Sequence, residues 1–423
     1  MPASALGMGK PAPSERIHLG IIGLGGNGSG HLKAYLQMPD VQVVALCEVD
    51  RLHYRERPWG EGAAMGLDPA VDRVKKAYGE RTEFKGVSTY TDYRELIARD
   101  DLDAVVVSTP DHWHALCTLE ALRSGKDVYC EKPVTHFFAE GQAIYREAAK
   151  RNAIFQVGSQ QRSDIYFRLA AEAVMNGLLG KITNVEVGLP TGYAEPMGDP
   201  QIAEPPEDLD YDKWCGPAPV LPYMRARHHR WWRGHSAYGG GTLMDFIGHH
   251  NDIAHWALGM DKSGPETVET VTWTASKPKI YDTPLHFEVR CQYPGGIVSS
   301  ISDRHDGGVK FIGENGWITV DRGKIDASNR EWIRESADRG KIKAYHSNDH
   351  RRNFIEGIRT RTPCIAPAET GHRSITPGHL GIVSAKLKRP LKWNAENERV
   401  IGDKGANTLL KSMPYREPMS FES

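Results

Sequence analysis

Between Ile17 and about residue 158, short apolar runs alternate with longer amphipathic stretches. His18-Leu19-Gly20-Ile21-Ile22-Gly23 and Val41-Gln42-Val43-Val44-Ala45-Leu46-Cys47 lead the series. Asp103-Ala104-Val105-Val106-Val107-Ser108, Val128-Tyr129-Cys130 and Ile154-Phe155-Gln156-Val157 follow. These runs are rich in β-branched residues, the pattern of strands covered on both faces. Helical stretches separate them, Asp92 to Arg99 and His114 to Ser124 among them. Such alternation predicts a parallel sheet with crossover helices.

After Gly158 the pattern changes. Ser163 to Asn176 predicts a helix stopped by Gly177, and Ile182 to Gly188 a strand. A Pro-, Gly- and Trp-rich segment runs from Leu189 to Gly241. Period-two strands return at Val268–Thr274, Leu285–Tyr293, Ile297–Ile301 and Trp317–Val320, with Pro294-Gly295-Gly296 as a hairpin turn. The expected fold class is α/β. Residues 1–16 read as a flexible lead-in, 17–158 as a Rossmann dinucleotide-binding domain, and 159–423 as an α/β domain with an open, mainly antiparallel sheet. Phe287, Val289 and Ile297 alternate with polar residues in that sheet, and an apolar sheet face needs a cover. A homo-oligomer, dimer or tetramer, is therefore expected to pair through it.

Composition narrows the function. At 423 residues the chain exceeds one ordinary core. A formal net charge of -1 gives no support for a nucleic-acid partner. No apolar run approaches the roughly 20 residues of a membrane helix, so no membrane partner is expected. The six cysteines are scattered without a Cys-x-x-Cys pair, and Cys47 and Cys130 fall inside strand runs, so no disulfide framework is expected. The start lacks the charged and apolar regions of a signal peptide. Its small, Pro/Gly-rich residues read as a disordered lead-in, or as the remnant of a trimmed export leader, and the compartment stays open.

Gly23-Leu24-Gly25-Gly26-Asn27-Gly28 follows the first strand and precedes a helix starting near Ser29. Glycines at this spacing allow a tight turn, close approach of a pyrophosphate and close helix–strand packing. The helix N-terminus then faces the phosphates. Glu48 ends the second strand and Asp50 follows. Either carboxylate suits the adenosine ribose hydroxyls and favours NAD by repelling a 2′-phosphate, whereas Arg51 would favour NADP. Ser108-Thr109-Pro110-Asp111-His112-Trp113-His114 closes another strand, and His114 could also simply cap its helix.

Downstream, Asp127-Val128-Tyr129-Cys130-Glu131-Lys132-Pro133 carries an apolar strand into a lysine at its end. Proline disfavours the α region for its predecessor, so Lys132 is expected to be extended. Open α/β sheets bind ligands at such strand ends. Asp245 and His249, four apart within Gly239-Gly240-Gly241-Thr242-Leu243-Met244-Asp245-Phe246-Ile247-Gly248-His249-His250-Asn251-Asp252, share one helix face. Asp252 and Trp256 continue that stripe.

With these two motifs and the glycine turn, the chain resembles the Gfo/Idh/MocA family of nicotinamide-dependent sugar and polyol oxidoreductases over nearly its whole length. The resemblance implies cofactor contacts from Gly23, Gly25, Gly26, Asn27, Gly28, Glu48, Glu131 and Lys132. It places Thr109, Pro110 and His114 on the nicotinamide side. It implies NAD, with NADP as the alternative, and catalysis by Lys132, His249 and Asp245. Imidazole suits a base near neutral pH, Lys132 an electrostatic anchor for the reacting oxygen, and Asp245 a partner for another hydroxyl. Substrate contacts are expected from Asp245, His249, Arg162, Trp232 and His235. Gln160 and Gln161 are further wall candidates.

Trp214 to Tyr238 holds aromatic, Arg and His side chains suited either to a sugar or to a subunit interface. Asp245, His249 and Asp252 on one face make an alternative zinc ligand set, although the resemblance implies no metal. Three functions stay in view. The first is dehydrogenation or reduction of a sugar or polyol hydroxyl. The second is redox-neutral glycoside cleavage with recycled NAD through a 3-keto sugar, and the third is ligand binding without catalysis.

Overall fold

A computed structural model describes residues 15–54, 62–79, 86–277, 279–338 and 340–420. Most of the lead-in expected at 1–16 lies outside them. The first part is a six-stranded, all-parallel sheet. Its spatial order is Ser88–Tyr90, Val41–Cys47, Ile17–Ile22, Ala104–Val107, Asp127–Cys130, Phe155–Val157. Ala104–Val107 is wholly buried, because crossover helices cover both faces. The order reverses between Ile17–Ile22 and Ala104–Val107, and that switch opens a crevice at the strands' carboxyl ends.

The second part is a nine-stranded sheet. Its order is Lys324–Ala327, Gly316–Asp321, Gly308–Gly313, Ile182–Gly188, Ile297–Ser302, Pro284–Tyr293, Thr267–Ala275, Leu391–Asn394, Arg399–Val400. Ile182–Gly188 and Ile297–Ser302 run parallel, and the other neighbours antiparallel. Four of these strands, Gly308–Gly313, Lys324–Ala327, Leu391–Asn394 and Arg399–Val400, carry no period-two signal long enough to mark them beforehand.

Phe287 and Val289 correct the interface argument. Both are fully buried, and Val289 packs under Gly381 of the helix Ala368–Leu387. The chain's own helix layer thus covers the sheet's apolar face, and each such side chain contributes about 1.5–3 kcal/mol by burial. Outward-pointing partners such as Glu269 and Arg290, or Glu186 and Lys310, bring charge to the opposite face, while Val271 and Trp273 of the strand Thr267–Ala275 stay exposed. Phe287 and Val289 therefore no longer argue for an oligomer.

Two helices bind the halves together. Gly241–Leu258 starts after Gly240 and stops at the left-handed Gly259, with Leu243, Met244, Ile247 and Ile253 in the core. His350–Thr360 returns to the first sheet, where Phe354, Ile355 and Cys364 share a core with Leu19, Leu32 and Tyr35.

Candidate active site

The glycine turn is built by close contact. Gly23 has φ +88°, and a Cβ there would lie 2.7 Å from the Ser108 carbonyl carbon. A Cβ on Gly28 would lie 1.9 Å from the Gly23 oxygen. The helix begins at Gly26, three residues earlier than expected, and has no acidic side chain in its first turn. Its N–H groups therefore open into the crevice without a competing anion.

Glu48 reaches back to this turn. Its Oε2 accepts from Leu24 N at 2.6 Å and its Oε1 from Val49 N at 2.8 Å. Burial pushes its pKa up, and these backbone donors pull it down. Asp50 does not line the crevice and lies 2.9 Å from His229, which does, and Arg51 pairs outside with Asp68.

The crevice encloses a cavity of about 340 Å³, with Gly25, Gly26, Glu48, Thr109, Pro110 and Lys132 in its wall. Ser108 Oγ and Thr109 Oγ1 are buried there without a hydrogen-bond partner among the described residues. Open space over Gly25, a bare helix N-terminus and orphaned hydroxyls fit a dinucleotide.

A second, polar cavity of about 300 Å³ adjoins the first across Asn27, Glu131 and Lys132, which line both. Lys132 reaches it because Gly248 lets the long helix approach: a Cβ on Gly248 would meet Lys132 Cβ at 3.3 Å. Lys132 Nζ donates to Asp245 Oδ1 at 2.6 Å and to the Asp245 carbonyl at 2.9 Å. Arg233 Nε lies 3.0 Å from the same Oδ1. Burial would raise the Asp245 pKa, but Arg233 and Lys132 hold the carboxyl well below the usual range. It remains an anion between two cations.

His249 projects into the polar cavity one turn on. Burial, then Lys132 and Arg322, push its pKa well below the usual imidazole value, so the ring is neutral. Its Nδ1 has no hydrogen-bond partner among the described residues. Glu131 is fixed by His31 Nε2 at 2.8 Å and Gln160 Nε2 at 2.9 Å, and Arg351 Nε donates to His31 Nδ1 at 2.9 Å. Against the effect of burial, the His31 hydrogen bond and nearby cations bring the Glu131 pKa down to about 2.

Residues 17–159 match the NAD-binding Rossmann fold of the Gfo/Idh/MocA oxidoreductase family, and residues 166–421 match its C-terminal alpha/beta domain. The chain belongs to the Gfo/Idh/MocA family. It is 24% identical over 410 residues to myo-inositol 2-dehydrogenase of Thermotoga maritima, a match spanning 91% of this chain and 100% of that one. A 120-residue stretch, 28% of this chain and 23% of the relative, is 32% identical to a glycosyl hydrolase family 109 protein of Shewanella baltica. Among solved structures, levoglucosan dehydrogenase in complex with NADH shares the fold with a TM-score of 0.61. It is 17% identical and matches over 89% of this chain and 98% of that one.

Several candidates take other places in this Gfo/Idh/MocA chain. Arg162 is fully buried, locked to Asp252 at 2.7 Å and to Asp261 at 2.7 Å, and does not line the polar cavity. Asp252 thereby serves packing, and with Asp245 held by two cations the three-residue zinc set on this helix does not form. His114 lies inside its helix, which starts at Asp111, and caps nothing. Its Nδ1 lies 2.7 Å from the Pro133 carbonyl and its Nε2 3.0 Å from that of Thr109, so it braces both loops without lining either cavity.

His235 also lines neither cavity. Most of the Trp214–Tyr238 segment packs on itself, with Trp214, Tyr223, Trp232 and Tyr238 in one core. His229, Arg230, Trp232 and Arg233 face the dinucleotide crevice, so Trp232, expected at the substrate, does not line the polar cavity. Gln160 and Gln161 do line the polar cavity.

Two ionisable residues were missed. Arg233 is one, its guanidinium 4.2 Å over the Trp232 ring. Asp111 is the other: burial pushes its pKa up to about 8, although Arg233 and Lys132 pull it down. The only hint in the sequence was their place in stretches already singled out.

Proposed function

We propose that this family member transfers hydride between NAD and a secondary hydroxyl of a sugar or polyol bound in the polar cavity. One observation carries the reading: Lys132 and His249 line the same polar cavity, and Lys132 also stands in the wall shared with the dinucleotide crevice. The names of the inositol and levoglucosan dehydrogenases support this substrate class. When bound, the nicotinamide supplies the hydride acceptor or donor.

The chain's residues do the rest. His249, neutral and lining the cavity, takes the hydroxyl proton during oxidation and returns it during reduction. Lys132, aimed by Asp245, holds the oxygen as negative charge grows on it. Asp245 stays ionised and orients the ammonium. Gln161, buried with both amide atoms unpartnered, takes neighbouring hydroxyls.

A second reading is redox-neutral glycoside cleavage with retained cofactor. Trp214, His229 and Arg233 of the second part, with Met419, help wall the crevice, an enclosure that favours retention. The glycosyl hydrolase relative is in keeping with it. Sugars, polyols and aryl glycosides assayed for NADH and for released aglycone separate the two. NADH accumulation is expected, and aglycone without NADH would favour cleavage. Neither signal, with ligand binding retained, would leave a binding protein.

A further inference from the structure

The polar cavity carries more positive charge than hydroxyl binding requires. Arg322, in the turn between Gly316–Asp321 and Lys324–Ala327, stands at one side of it, and Arg351, in the first turn of His350–Thr360, at another. Arg322 lies over the Phe246 ring, 5.9 Å from its centroid, and makes no ion pair among the described residues. Arg351 spends its Nε on His31 and likewise pairs with no carboxylate among them.

Among the described residues, the acids nearest in sequence form an ion pair with neither arginine. Asp321 lies 3.9 Å from His250, and Asp349 caps its helix by accepting from the backbone N–H groups of Arg351 and Arg352. The carboxylates within the site are hydrogen-bonded by other groups. Glu131 is held by His31 and Gln160, and Asp245 lies between Lys132 and Arg233. Two guanidinium groups therefore face the cavity without a direct ion pair to any described carboxylate, and with Lys132 they outnumber Glu131, the acid in its lining. Arg322 is felt at the reacting centre, since it helps depress the pKa of His249 after burial and Lys132.

We propose that the substrate is an acidic sugar or polyol whose carboxylate or phosphate ester sits against Arg322 and Arg351. Its hydroxyl then meets Lys132 and His249, so the inference rests on the function proposed above. A guanidinium fork matches either anion through paired N–H donors. Gln160, Gln161 and Asn27 serve the hydroxyls between the two ends.

The test uses NADH-loaded protein and compounds that differ only at the anionic group. D-glucuronate is compared with D-glucose, D-galacturonate with D-galactose, and glucose 6-phosphate with glucose. Affinity is read from bound-NADH fluorescence, and turnover of NAD-loaded protein from NADH absorbance. At least one acid should bind about 10-fold or more tightly than its neutral counterpart, with the gap narrowing as salt rises. The uronate and phosphate arms tell which anion is meant. Arg322→Gln, at an exposed turn, should collapse the gap to within about twofold, with unchanged thermal unfolding showing an intact fold. Oxidation or binding of neutral sugars as tightly as their acids would overturn the inference and leave the proposed function standing. No binding or turnover of any compound would overturn both.

Discussion

Lys132 and Asp245, 113 residues apart in the chain, meet at 2.6 Å, and Arg233 closes on the same carboxylate oxygen from a third segment. The ammonium is thereby aimed before any substrate arrives. Asp245 orients Lys132 instead of waiting for a hydroxyl of its own.

Lys132→Ala should lower turnover at least about 100-fold while leaving NAD affinity within a few-fold, the usual scale for a lost acid–base or electrostatic group. Steady-state rates and cofactor titration of the purified variant check this. Near-normal turnover would remove Lys132 from the chemistry.

The pH profile reports on His249. With its neutral form as the proposed base, acid should inactivate the enzyme by protonating the ring. Burial, Lys132 and Arg322 depress its pKa, so the acidic limb should fall well below pH 6.5. Removing a positive neighbour favours the charged ring, and Arg322→Gln should therefore move the limb to higher pH. His249→Asn should cut turnover more than binding and abolish the limb. An active Asn variant with the limb intact would transfer suspicion to Lys132.

Gly25→Ala and Gly28→Ala should fail differently. A Cβ on Gly25 enters open space, with its nearest neighbour 4.0 Å away, whereas one on Gly28 collides with the Gly23 carbonyl. The first variant should lose at least about 10-fold in NAD affinity with its melting temperature unchanged, because the methyl stands where a pyrophosphate approaches. The second should lose stability as well. Calorimetric titration and thermal unfolding on the same samples separate the two, and equal melting losses would contradict the geometry.

Glu48→Gln should narrow the preference for NAD over NADP by about fivefold or more. The amide keeps an acceptor for Leu24 N but no longer repels a 2′-phosphate. Fluorescence titration with both cofactors measures the ratio. An unchanged ratio would point to a ribose held by other groups.

Arg162→Met should cost roughly 3–5 kcal/mol of stability, the usual penalty for leaving a buried charge unpaired. Asp252 loses its bidentate partner. Urea unfolding measures the cost. A stable variant with a raised KM would instead restore Arg162 to the substrate site.

Lys132, His249 and the glycine turn were legible because each depends on local spacing: a strand end before proline, four residues on a helix, six residues in a turn. Arg162 was misread because its partners lie 90 and 99 residues on, and nothing near it distinguishes a locked arginine from a free one. Arg233 and Asp111 were invisible for the same reason. The edge strand Ser88–Tyr90 is short and polar, and its order comes from pairing with Val41–Cys47. Phe287 and Val289 were placed on the correct strand, but its pattern could not say whether a helix or a second subunit covers them.

The return of His350–Thr360 has a consequence for how such a chain can vary. Its Phe354 fills the first core, its Arg352 holds Asp40, and its Arg351 braces the histidine that positions Glu131. The Rossmann portion is therefore not a portable module. A cut near residue 158, or a graft of another relative's second half, would strip the nucleotide-binding half of a wall and of the brace behind Glu131. Cofactor affinity would then suffer from changes made nowhere near the glycine turn.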